Sequence, residues 1–174
     1  MLGKEYKLVC HDECSIYLET DKARAWALKG SKPIKYISGT KVKVNIGGFY
    51  TEDKEFYHYD MGEKQNTISF IESLKKFKED INQKVFLIID KASFHTSKDA
   101  KAYLDRNNDW LEYEYFSTAA PDKNPVEFCW KRTRQELLQL YSFSNKKALL
   151  DSLKKLWNDD FFTHKINNYL SLRL

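Results

Sequence analysis

An α/β fold, a mixed sheet flanked by helices, is what three stretches of this chain predict. Lys41-Val42-Lys43-Val44-Asn45-Ile46 alternates strictly between polar and apolar residues, the period of a half-buried strand. Val85-Phe86-Leu87-Ile88-Ile89 is a continuous apolar run that stops at Asp90, the pattern of a central strand covered on both faces. Between them, Ile68, Ile71, Leu74, Phe77 and Ile81 recur at helical spacing.

The remaining elements follow in order. Tyr6 to Cys10 reads as a first strand with Asp12-Glu13 at or just past its end. A turn near Lys29-Gly30-Ser31, the alternating strand, Gly47-Gly48 after it and a further aromatic strand over Phe56 to Tyr59 make residues 5 to 60 an antiparallel meander. Asn66 or Thr67 caps the first helix. After the apolar strand come a short helix from about Ser97 to Arg106 and an alternating strand over Leu111 to Phe116. Asn124-Pro125-Val126-Glu127 has the residue types of a helix start: Asn to cap, Pro where a missing N–H is harmless, Glu third. Val126, Trp130, Thr133, Leu137 and Leu140 then form an apolar stripe, and a last helix runs from about Asn145 to Asn158 with Leu149, Leu153 and Leu156.

Composition bounds what such a chain does. Its 174 residues suffice for one domain with a sizeable core, and 15% aromatic content with few Gly and Pro excludes a disordered or collagenous chain. No apolar run approaches the length that crosses a bilayer, and Met1-Leu2-Gly3-Lys4-Glu5 lacks the apolar core of a signal peptide. Cys10, Cys14 and Cys129 are an odd set that argues against a disulfide framework. The expectation is a cytoplasmic protein without a membrane partner. A net charge of +4 tolerates a polyanionic partner without demonstrating one.

Asp12, Asp90 and Glu127 are each expected at or near an element end, two on strands and one in the first turn of a helix. A hard divalent cation takes oxygen ligands and keeps several waters, so a few carboxylates and a substrate phosphate suffice to hold it. Each carboxylate also has a plainer reading. Asp12-Glu13 can close a turn, Asp90 can cap a helix, and Glu127 can pair with Lys131 one turn on. Cys10, His11 and Cys14 suggest zinc but are one ligand short of a structural site.

The words around the three carboxylates add specificity. His11-Asp12-Glu13, Ala25-Trp26-Ala27-Leu28-Lys29-Gly30, Ile89-Asp90-Lys91-Ala92-Ser93-Phe94-His95 and Pro121-Asp122-Lys123-Asn124-Pro125-Val126-Glu127-Phe128-Cys129-Trp130 resemble, in order, the motifs of DDE transposases. The resemblance is to the mariner-related insertion-sequence branch, the DDE superfamily endonucleases, and runs from about Leu8 to Trp157. Asn-Pro-x-Glu-x-x-Trp is its most specific word. It implies a ribonuclease-H-like fold, a mixed five-stranded sheet with three antiparallel strands first, flanked by helices.

It further implies that Asp12, Asp90 and Glu127 are the catalytic, metal-holding carboxylates. Two Mg²⁺ or Mn²⁺ ions would serve DNA strand cleavage and strand transfer at transposon ends. His95 and Asn124 take supporting roles, and Lys29, Lys91, Lys131, Arg132 and Arg134 are candidates for DNA contact, with Trp26 beside Lys29 as a stacking group. Two positions depart from the family pattern: Lys91 replaces the usual Asn, and Phe116-Ser117 stands where Leu-Pro is common. A cation beside a metal site competes with the metal or contacts phosphate. With no helix-turn-helix before the first strand, the expectation is a single catalytic domain over 1–174. Transposon ends and target DNA would then be recognised with a separate helix-turn-helix protein or a missing amino-terminal region, and a homodimer would hold two ends in a nucleoid-associated complex. The alternatives are a non-catalytic DNA-binding or assembly remnant of a transposase and another ribonuclease-H-like nuclease.

Overall fold

The computed structural model describes residues 5–19, 28–31, 40–117, 123–138, 142–157 and 161–170. Trp26 and Leu140, both singled out from the sequence, lie outside them. Five strands form one sheet: β1 (Lys7–Tyr17), β2 (Lys43–Thr51), β3 (Phe56–Asp60), β4 (Val85–Ile89) and β5 (Leu111–Tyr115), in spatial order β3-β2-β1-β4-β5. The first three pair antiparallel, and β4 and β5 join β1 in parallel. This is the mixed sheet expected from the sequence.

Among the described residues four α-helices cover it. On one face, α1 (Thr67–Ile81) and α2 (Lys98–Arg106) bury Phe70, Leu74, Phe77, Ala100 and Leu104 against Val9, Phe49, Leu87 and Ile89. On the other, α3 (Pro125–Thr133) and α4 (Lys146–Leu156) bury Val126, Cys129, Trp130, Leu149 and Leu153 against Leu8, Cys10, Ile46, Tyr50 and Ile88. Each large apolar side chain so buried contributes roughly 1.5–3 kcal/mol. Local chemistry delimits the helices. Asn66, Ser97, Asn124 and Asn145 each cap one, and α1 ends at Asn82, whose φ of 45° is tolerated by a short polar side chain. α3 continues as a π-helical turn over Arg134–Leu138, with Leu137 still buried.

Three expectations need correction. β1 does not end near Cys10. It continues to Tyr17, because β2 pairs with it from Val9↔Thr51 to Tyr17↔Lys43, so Asp12 and Glu13 are mid-strand residues. Gly47-Gly48 does not follow the alternating strand but lies inside β2, opposite Glu13 and Asp12 respectively. The apolar face of α1 differs from the one predicted in its first turns: Leu74, Phe77 and Ile81 are buried as expected, whereas Ile68 is 73% exposed and Phe70 is buried. The neighbouring Phe70 takes the inward position instead.

Candidate active site

Side chains alternate along β1, and this sends the two adjacent carboxylates to opposite faces of the sheet. Leu8, Cys10, Cys14 and Ile16 belong to the core under α3 and α4, so Asp12 points to that side. Val9 belongs to the core under α1 and α2, so His11 and Glu13 point there. The same alternation separates His11 from Cys10 and Cys14, which removes the zinc reading.

Asp90 reaches this place through the parallel pairing. The last registered pair of β1 and β4 is Cys10↔Ile88, so Asp12 and Asp90 each stand two residues beyond it, where β4 ends and β1 goes on. Glu127 arrives on α3. Asn124 accepts from the Val126 N–H at 3.1 Å to start the helix, and its Nδ2 donates to the His11 carbonyl at 3.1 Å. One buried Asn therefore ties the helix start to β1 beside Asp12, and Glu127 is the third residue of that helix.

Asp12 is held by the same helix. The Trp130 indole N–H donates to Asp12 Oδ2 at 3.0 Å, while the ring itself lies over Gly48, where a Cβ would meet Trp130 at 2.7 Å and Phe56 at 2.8 Å. Gly48 is thus a space left for the indole. Asp90 Oδ1 accepts from the Ala92 N–H at 3.0 Å and from His95 Nδ1 at 2.6 Å. Among the described residues, each aspartate consequently has one oxygen engaged by protein donors and one without a protein hydrogen bond.

The electrostatics differ across the group. Burial pushes the Asp12 carboxyl well above the usual carboxylate range, and the negative charges of Glu127, Glu13 and Asp90 add to this against the opposing Trp130 N–H. Asp90 is lowered, first by its bond from His95 and then by the Ala92 N–H, against the effect of burial. Glu13 is buried too, yet His11 and His95 overcome the burial and bring it down to about 2. His95 is raised to about 9 by Asp90 and Glu13 against burial.

His11, Glu13 and His95 form a second cluster, with ligand-type atoms within 4.8 Å of one another. Glu13 Oε1 accepts from His11 Nε2 at 2.9 Å and from His95 Nε2 at 2.8 Å, and His11 Nδ1 donates to the Gly48 carbonyl at 2.8 Å. Those are hydrogen-bond lengths, and they engage both nitrogens of each ring.

The basic candidates are not brought to one place in the same way. Lys91 is exposed next to Asp90, and Lys131 is exposed one turn past Glu127, with no ion pair joining Glu127 to Lys131 among the described residues. Lys29 is exposed in the turn at 28–31, where Gly30 takes a φ of 88°. Arg132 is half-buried with its guanidinium over the Phe161 ring, 4.6 Å from the centroid. Arg134 donates to Cys14 Sγ, one strand alternation beyond Asp12. The sequence reading missed the structural parts of His11, Glu13, Gly48 and Trp130. The signals for them were present: His11 and Glu13 are two apart on a strand, and Trp130 lies one turn from Glu127.

A sequence profile described as DDE superfamily endonuclease matches residues 7–150. The chain belongs to the DDE superfamily endonucleases. Solved structures with the same fold include a Mos1 transposase paired-end complex with left transposon end, at a TM-score of 0.72 and 16% identity, covering 92% of this chain and 51% of that one. A mariner Mos1 paired-end complex with Mg matches at 0.70 and 17% identity, over 90% of this chain and 50% of that one. The catalytic domain of Mos1 mariner transposase matches at 0.66 and 15%, over 92% and 74%. The chain thus spans about half the length of the transposase chains in those DNA complexes. No curated protein sequence matches it. The fold of this DDE family member is ribonuclease-H-like, as its motifs implied. Among the described residues no helix is long and apolar enough to cross a membrane.

Proposed function

We propose that this DDE family member is the catalytic domain of a transposase, performing divalent-metal-dependent DNA strand cleavage and strand transfer at transposon ends. Asp12, Asp90 and Glu127 hold Mg²⁺ or Mn²⁺, two ions in the working complex. The observation that carries the reading is the state of Asp12: burial and the charges of Glu127, Glu13 and Asp90 raise it against the hydrogen bond from Trp130. Clustered carboxylates in that condition suit a divalent cation, whose charge removes their mutual repulsion. The donor set fits as well, since among the described residues each aspartate keeps one oxygen free of protein hydrogen bonds. Oxygen donors of this kind suit Mg²⁺ and Mn²⁺.

Ions held by Asp12, Asp90 and Glu127 would supply Lewis-acid chemistry for phosphodiester cleavage and joining, favouring a water or 3′-hydroxyl as nucleophile and a charged leaving oxygen. The protein's own part is placement. Trp130 fixes one oxygen of Asp12, the Ala92 N–H and His95 fix one of Asp90, and Asn124 ties the helix bearing Glu127 to β1. Lys91 and Lys131, exposed beside Asp90 and Glu127, supply positive charge for the phosphates of the bound strand. Lys29, Arg132 and Arg134 extend that surface, with Arg132 and Arg134 reaching DNA only if they leave Phe161 and Cys14. Recognition of specific ends is assigned to a helix-turn-helix region or protein outside this domain, two copies hold two ends, and the site of action is the cytoplasmic nucleoid.

Single replacements of Asp12, Asp90 or Glu127 by Asn or Gln test this. The expected result is a folded protein that has lost Mg²⁺- or Mn²⁺-dependent cleavage of end-bearing DNA. Full cleavage surviving two of the three replacements overturns the assignment. Absence of any Mg²⁺ or Mn²⁺ effect on both cleavage and thermal stability of the unsubstituted chain favours a non-catalytic remnant. Preferential cutting of RNA in a hybrid favours another ribonuclease-H-like nuclease.

A further inference from the structure

We propose that Glu13 and His95 are positioning residues that fix Asp90 from the opposite face of the sheet, so that metal affinity at the Asp12 side depends on a buried Glu–His pair that never touches the metal. The inference rests on the proposed role of Asp90 as a ligand. It starts from an asymmetry between the two aspartates. Asp12 has a fixed place inside β1, whereas Asp90 stands just past the end of β4, where strand pairing no longer holds the backbone. A carboxylate in that position needs another restraint.

His95 supplies it. Its Nδ1 meets Asp90 Oδ1 at 2.6 Å and its Nε2 meets Glu13 Oε1 at 2.8 Å, so both ring nitrogens face carboxylate oxygens and both must donate. The ring has no exposed surface and is walled by Phe70 and Phe94, each with its centroid 4.4 Å away. Glu13 is itself immobilised from the other side by His11, whose second nitrogen is spent on the Gly48 carbonyl and whose ring stacks on Phe49 at 4.1 Å. The chain of contacts runs from the β2 backbone through His11, Glu13 and His95 to Asp90. It ends on Oδ1, and among the described residues Oδ2 has no protein hydrogen bond. Partners of this kind, one bond removed from a ligand, typically change metal affinity by about 10–100-fold when replaced.

The test is a Mn²⁺ titration of the whole chain, read by the rise in unfolding temperature and in parallel by DNA cleavage. Glu13→Gln keeps the shape and one acceptor but removes the charge, and is expected to raise the half-saturating Mn²⁺ concentration about 10-fold. His95→Gln, whose amide stands near Nε2 and is lost to Asp90, is expected to raise it by about 10–100-fold. His95→Asn, whose amide stands near Nδ1, restores most of the affinity. If the pair serves packing alone, all three variants lower the metal-free unfolding temperature but keep the unsubstituted Mn²⁺ midpoint, and that result overturns the proposal. Asp90→Asn separates the two levels. Loss of the Mn²⁺ response in Asp90→Asn with an unchanged midpoint in Glu13→Gln and His95→Gln rejects the positioning pair alone. A retained response in Asp90→Asn rejects the ligand role, and the positioning pair with it.

Discussion

Asp12 and Glu13 are chain neighbours, both carboxylic acids and both largely enclosed, yet the protein treats them oppositely. On the α3 side, Asp12 has one indole N–H and further carboxylates around it, and its carboxyl is pushed upward. On the α1 side, Glu13 has two imidazoles on a single oxygen and is brought down to about 2. The difference teaches that burial alone does not set the state of an acid; the sign of the nearest partners does. One side of the strand gathers carboxylates around Asp12, and the other pairs its carboxylate with two imidazoles. A site meant for an added cation looks like the first, and a permanent brace looks like the second.

The largest expected effect breaks the paired side. Glu13→Ala leaves two buried imidazoles without their acceptor and should cost on the order of 3–5 kcal/mol, measured by urea denaturation of the metal-free protein. The pH profile sharpens the same point. Glu13 has a folded value below its ordinary 4.5, so its contribution is present above pH 4.5 and is lost as pH falls through about 2. His95 has a folded value above 6.5, so its contribution is present below 6.5 and is lost as pH rises through about 9. Unsubstituted protein should therefore lose stability at both limits, and Glu13→Gln should flatten the acid one. An unchanged acid limb in that variant would contradict the pairing.

Next in size is the wall of the unpaired side. Gly48→Ala puts a methyl group 2.7 Å from the Trp130 ring, closer than real contacts allow, and the indole is the donor to Asp12. The expected cost is about 1–3 kcal/mol of stability, together with weaker Mn²⁺ binding because Asp12 loses its tether. Calorimetric unfolding with and without Mn²⁺ distinguishes the two parts. Gly47→Ala, whose Cβ meets the flexible Met61 Sδ at 3.2 Å on the other face, is the milder comparison.

The smallest effect has the opposite sign. Asp12 is raised, so an unfolded chain ionises it at lower pH than the folded one, and stability is lost as pH climbs above 3.8. Asp12→Asn removes that cost and should stabilise the metal-free protein near neutral pH by roughly 0.5–2 kcal/mol, a gain of a few degrees in unfolding temperature. The same substitution should abolish the stabilisation by Mn²⁺. A lower metal-free unfolding temperature in Asp12→Asn would show that the carboxylate is not strained by its neighbours.

Much of the site was legible residue by residue. Asn124-Pro125-Val126-Glu127 reads as a helix start because capping, a missing N–H and an early acid are local matters, and α3 begins at Pro125. Val85 to Ile89 is a strand ending before Asp90 because nothing but a covered central strand suits that run. The misreadings were nonlocal. Nothing within Cys10 to Tyr17 announces that the strand continues past an acidic pair, because the pairing that extends it comes from β2, some thirty residues on. Ile68 satisfies helical spacing as well as Phe70 does, and only the position of the sheet decides which face turns inward.

The sequence by itself determined the helix caps and the words that carry Asp12, Asp90 and Glu127, because those depend on residues within a turn or two of each other. Tertiary structure alone decided that Asp12 and Glu13 serve opposite faces, that Trp130 occupies the space over Gly48 to hold one carboxylate, and that His95 reaches Glu13 on the α1 side of the central strand. These contacts join segments far apart in the chain. Their geometry exists only once strand register and helix packing have set which side chains share a face.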